Sequence, residues 1–170
     1  MRRKFFADLP NPRPILVIAP VLIVLALAYH FGTSYRSCSY QRDFRERLRA
    51  GIETAAAKRP AVVRLADIAD FQWDAATILV NYKPDNRTTD CPFGWDWTEA
   101  ERASLVGDDL LTLIVFSRGG RVAGHVEYRA DWAGFPESRA PYDRASASFE
   151  VRRPGGPGTR PVLRPASGAQ

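Results

Sequence analysis

The sequence is poor in the residues that build catalytic and metal centres. It has two histidines, His30 and His125, and two cysteines, Cys38 and Cys91. A histidine cluster for a metal is therefore excluded, and any Ser-His-Asp arrangement would have to use His125. The cysteine spacing fits no zinc pattern, and there is no C-x-x-C pair for thiol exchange. The chain also lacks G-x-S-x-G, Walker A, G-x-G-x-x-G and H-E-x-x-H. No cofactor and no metal are expected. Lysine is scarce too: Lys4, Lys58 and Lys83 are the only lysines among 24 basic residues. With the many alanines and prolines, that skew is the composition of a GC-rich bacterial genome.

A basic domain is missing as well, although the net charge is +5. Four of the bases lie in residues 1–13 and four more in 152–170. Residues 36–150 carry 16 bases against 18 acids, and residues 60–150 carry 9 against 15. The body of the chain is acidic and does not offer the positive face that nucleic acid requires. No nucleic-acid partner is expected.

What the chain does have is one long apolar run. From Pro14 to Tyr35 there is no charged residue. At about 1.5 Å per residue such a run reaches the ~30 Å of a bilayer's hydrocarbon core. Pro20 is tolerable in a membrane helix. Tyr29, His30, Phe31 and Tyr35 suit the far interface. The expectation is a single-pass helix over 14–35 with the lipid bilayer as its first partner, preceded by a basic cytoplasmic segment, 1–13. The alternative is a signal peptide cleaved after Ala26-Leu27-Ala28, releasing a secreted domain. The bases before the run place the N-terminus in the cytoplasm and the rest in the periplasm, by a modest margin over the arginines that follow. An even cysteine count in an exported domain points to a Cys38–Cys91 disulfide, which requires the two Cα atoms within about 7 Å. Two free thiols are the competing case.

Residues 36–151 are expected to form one small α+β domain. Tyr40, Phe44, Leu48, Ile52 and Ala56 recur every four residues, so an amphipathic helix ends before Pro60. Thr77–Lys83 reads as a strand, with Ile78, Val80 and Tyr82 on one face. A polar loop follows, Pro84–Pro92. Thr98 and Glu101 form a capping-box pair that starts a short helix ending at Gly107. A hairpin runs from Asp109 to Arg129 around Gly119-Gly120. Its turn pairs Leu111 with Tyr128, Leu113 with Val126 and Val115 with Gly124, and these are taken as the core face. Ala145–Val151 is a last strand, with Ala145, Ala147, Phe149 and Val151 inward. The result is a mostly antiparallel sheet of about four strands with helices on one face. Residues 152–170, rich in Pro and Gly, are expected to be a disordered basic tail.

Candidate chemistry is thin. Asp67, Asp70 and Asp74 cluster, as do Asp108 and Asp109. Paired acids can serve acid–base chemistry or bind a cation, whereas Asp70 and Asp74 also read as turn and cap residues around Trp73. Asp70, Asp74 and His125 are the residues a small hydrolase would have to use. The segment CPFGWDW offers Phe93, Trp95 and Trp97 as a candidate binding loop, or as residues that complete the core.

Phe71-Gln72-Trp73-Asp74 before a strand, Tyr82 at its end, and the later hairpin resemble small uncharacterised exported bacterial proteins with an F-x-W-D motif. The resemblance covers about Phe71 to Val126. It implies an envelope location and a compact domain, and it carries no functional residues. The chain is thus expected to be a membrane-anchored binding module of the cell envelope, with another envelope protein as partner.

Overall fold

The computed structural model describes residues 12–84, 91 and 95–166, with side chains from Ile18 onward. The chain divides into two compact units, Met1–Ser37 and Cys38–Gln170. Helix α1, Pro12–Ala56, contributes to both. In the first unit its apolar side chains, from Ile18 through Leu27, are exposed. It is the one helix among the described residues that is long and apolar enough to cross a membrane. Pro20 lies inside it.

In the second unit, α1 is followed by β1 (Val62–Arg64), a 3-10 turn (Leu65–Asp67), β2 (Ala75–Leu79) and α2 (Glu99–Gly107). Then come β3 (Leu111–Arg118), β4 (Arg121–Arg129), β5 (Tyr142–Asp143), β6 (Ser148–Arg152) and β7 (Val162–Pro165). The class is α+β, as expected, but the strands form two antiparallel sheets, β4-β3-β2-β5 and β1-β6-β7. One core joins them. Phe44, Leu48 and Ile52 of α1 are buried with Ile78, Ile114, Phe116, Val126 and Tyr128 of the larger sheet. Val63, Phe149, Val151 and Leu163 of the smaller sheet belong to the same cluster. The four-residue apolar spacing of α1 is what supplies its buried stripe.

The hairpin register differs from the one that the turn alone dictates. Gly119 and Gly120 have φ of 56° and 75°, the two-residue turn expected. Near it, Arg118 pairs with Arg121 and Ser117 with Val122; past a bulge, Phe116 pairs with Gly124 and Ile114 with Val126. One extra residue in β4, Ala123, shifts the register and exchanges the faces of β3 against β4. The core face is therefore Thr112, Ile114 and Phe116 with Gly124, Val126 and Tyr128. The bulge also sets Gly124 beneath Phe71, whose Cζ would lie 2.9 Å from a Cβ at that position. Only glycine fits there without displacing the ring.

Leu111 and Leu113, expected inward, are buried all the same, on the other face of the sheet. Glu127 shares that face and meets Arg102 of α2 at 2.9 Å. The two helices thus serve opposite faces of β3–β4, not one. Thr98 caps α2 as its sequence requires: its hydroxyl accepts from the Glu101 N–H, and the Glu101 carboxylate accepts from the Thr98 N–H at 2.7 Å. These hydrogen bonds hold the Glu101 carboxyl below its usual range. Thr98→Ala is expected to lower stability by about 0.5–2 kcal/mol, read as a shift of the denaturation midpoint at unchanged slope.

Three further expectations are corrected. The strand placed at Thr77–Lys83 is Ala75–Leu79, and the chain turns at Asn81, whose φ is 52°. The last strand placed at Ala145–Val151 begins at Ser148, with Ala145 exposed while Ala147, Phe149 and Val151 are inward. The tail expected to be disordered carries β7, where Val151 pairs with Leu163 and Glu150 with Arg164. Leu163 is buried, and burying it gives a Pro/Gly-rich segment the apolar anchor that its composition conceals.

β4 is an edge strand. Two of its carbonyls are nevertheless occupied. His125 O accepts from the Gln41 side chain at 2.7 Å, and Glu127 O accepts from Arg45 Nε at 2.8 Å.

Candidate functional site

Along α1, Cys38, Gln41, Arg42, Arg45 and Arg49 recur at helical spacing, forming a polar stripe beside the buried apolar one. Each of the five reaches the aromatic segment, β4 or the turn after it. Cys38 and Cys91 form a disulfide with a Cα–Cα distance of 5.9 Å, both buried. Arg42 donates to the carbonyl of Trp95 at 3.2 Å. Arg45 is the centre of the arrangement. Its side chain and that of Asp96 are 3% and 5% exposed, and they meet at 2.6 Å. Its two terminal nitrogens take both Asp96 oxygens, while Nε holds β4. Its guanidinium carbon lies 3.5 Å from the Trp97 ring centroid.

Beyond Trp97 the aromatic contacts continue outward. Trp97 meets Trp132 edge-on at 6.4 Å. Arg49 and Arg129 lie over Trp132 at 4.6 and 5.3 Å. Arg129 is in turn clamped by Asp131, whose two oxygens accept from Nε and Nη2. That hydrogen bonding holds the Asp131 carboxyl below its usual range. Tyr128, packed against Trp132, has its hydroxyl pKa pushed up, mainly by burial. Three half-buried tryptophans, Trp95, Trp97 and Trp132, therefore stand among arginines on one side of the second unit.

Of the candidate binding loop, Phe93 lies outside the described residues, as does most of the polar loop before it. Trp95 and Trp97 are held in place by α1. Neither is a free loop tip, and neither is fully swallowed by the core. Sequence reasoning missed Arg45, Arg49, Asp96, Arg129 and Trp132. The available signal was the helical spacing of 38, 42, 45 and 49, which keeps them on one face beside the apolar stripe.

The residues that an enzyme would need are committed to separate elements. Asp70 is exposed and bonded to Arg47 at 2.8 Å, which holds its carboxyl below the usual range. Asp74 accepts from the N–H of Gly119 at 2.7 Å and so caps the hairpin turn. His125 is exposed in mid-strand on β4. Asp67 is exposed on the 3-10 turn, and Asp109 is paired with Lys83 at 3.3 Å. Among the described residues no group of three or more His, Cys, Asp or Glu side chains is placed to hold a metal ion.

What the arrangement can do is present a rigid surface. Arg45 is buried and all three of its nitrogens donate to Asp96 or Glu127, so it is a strut. Arg49, Trp132 and Trp95 retain exposed or half-exposed area. Aromatic and arginine side chains fixed in this way are the types that dominate protein-binding hot spots. No protein-family model, curated protein or solved structure matches the chain.

Proposed function

We propose that this chain is a single-pass protein of a bacterial inner membrane. Residues 1–13 lie in the cytoplasm and the folded unit in the periplasm. That unit binds another envelope protein through the surface around Trp95, Trp97 and Trp132, and performs no catalysis. The observation that carries the reading is the Cys38–Cys91 disulfide, whose first cysteine stands three residues past the uncharged run. Disulfides persist in oxidising compartments and are rare in the cytoplasm. The bases ahead of the run favour the same orientation. Support for binding over catalysis comes from Asp70 and Asp74, both of which are engaged in holding the fold.

The test has two parts. Cells are lysed into a thiol-blocking reagent, then reduced and mass-tagged. Both cysteines are expected to take the tag only after reduction, on a chain of full length that stays with the membrane. Tagging without a reduction step would place the unit in the cytoplasm. A chain shortened by cleavage near Ala28 and found in the soluble fraction would make it a secreted domain. For the binding surface, a photo-crosslinking residue at Trp95 is expected to give one discrete protein adduct, and Arg49→Glu to abolish it. An adduct pattern unchanged by Arg49→Glu would remove this surface from consideration.

A further inference from the structure

A second feature of the folded unit shares no residue with the aromatic surface. Between α1 and the β1–3-10 segment runs an open groove of about 540 Å³, within the ~300–1,000 Å³ usual for small-ligand sites. Its floor is apolar: Ala50, Gly51, Ala55, Val62, Val63 and Ile68. Gly51 permits this shape, since a Cβ there would lie 3.0 Å from Ile68 Cδ1. The lining from α1 extends from Arg47 to Ala55, about 12 Å along the helix axis, and Lys58 follows just past the helix end. At the Arg47 end the groove is closed by the Arg47–Asp70 ion pair. The remaining charged lining residues are Lys58, Arg64 and Asp67, all exposed. Among the described residues none of the three has an ion-pair partner.

We propose that this groove binds a single-chain membrane amphiphile with a phospho-amine head group. The phosphate is taken by Lys58 and Arg64, the ammonium by Asp67, and the first part of the acyl chain by the apolar floor. Two cations and one carboxylate without ion-pair partners line the same groove, and they are the complement of that zwitterion. A plain anion would leave Asp67 opposed, and an uncharged chain would leave all three unanswered. A compact ammonium can donate hydrogen bonds to a carboxylate, whereas a trimethylated one cannot. The site needs the membrane only as the source of its ligand, so it is testable on the full chain held in amphipol.

Lysophosphatidylethanolamine, below its micelle concentration, is expected to slow amide exchange across residues 50–68 and to leave residues 95–97 unchanged. Free phosphoethanolamine, which lacks the chain, is expected to give no protection at the same concentration. The Lys58→Ser/Arg64→Ser variant should weaken the protection by at least about tenfold, the loss expected for charge-assisted hydrogen bonds. Asp67→Asn should erase the preference over lysophosphatidylcholine. All three positions are exposed, so these variants keep the fold. Thr54→Trp, also exposed, should block the groove sterically. The proposal is overturned if no protection appears, if free phosphoethanolamine protects equally, or if the rim variants bind as the parent does. A preference that survives Asp67→Asn overturns it as well.

Discussion

Replacing Arg45 with methionine is expected to destabilise the folded unit by about 3–5 kcal/mol, the cost of stranding a buried charge. The charge left behind is that of Asp96, whose side chain is 5% exposed. The same change strips the Glu127 carbonyl of its donor and the Trp97 ring of its cation. Exposed ion pairs such as Arg42–Asp43 are worth far less, about 0–1 kcal/mol, because water screens them. The double variant Arg45→Met/Asp96→Leu should recover most of the loss, since a buried pair replaced by apolar residues is often neutral. Denaturant midpoints of the two variants and of Asp96→Leu alone close a double-mutant cycle. If Arg45→Met costs less than about 1 kcal/mol, the side chain is a surface ornament and not a strut.

The second large effect concerns the disulfide. Cys38 and Cys91 are 53 residues apart. In the chain-entropy account, closing a loop of that length stabilises the folded state by about 4 kcal/mol. Replacing both cysteines with serine should lower stability by roughly that amount, because the unfolded chain regains its freedom. The loss should be read in the parent under reducing conditions as well. The two measurements are expected to agree, since reduction removes the same constraint. Because the constraint acts on the unfolded chain, amides of β2, β3 and β6 that exchange by global unfolding should speed up by the same free energy. A change confined to residues 95–97 and the facing turns of α1 would instead make the disulfide a local clamp.

Several elements were legible from the residues alone. The apolar run of α1, its amphipathic continuation, the capping box at Thr98 and the glycine turn at 119–120 are local signals. Each is set by the physical demands of a few neighbouring residues. The register of β3 against β4 was not local. The bulge at Ala123 is rewarded by distant Phe71, which needs a residue without a Cβ beneath it. β7 was hidden because its apolar content, Val162 and Leu163, is brief and framed by prolines. Its worth appears only when β6 supplies a partner. The candidate site was half visible. Trp95 and Trp97 could be named, whereas Trp132 and Arg49 join them only through tertiary contact. Arg45 read as one of many solvated helix arginines; its burial depends on Asp96, 51 residues further along the chain.

The Gln41 and Arg45 contacts to β4 have a consequence for solubility. An uncovered edge strand offers its carbonyls and amides to any passing chain, and self-assembly into extended sheets begins there. Here two α1 side chains occupy the carbonyls of His125 and Glu127, so strand addition is denied over the middle of β4. Among the described residues, the short stretch beside the turn, where Val122 is 69% exposed, has no such cover. Damage to Arg45 would thus do more than loosen the fold. It would hand the sheet a second, longer seam along which copies of this chain could zip together.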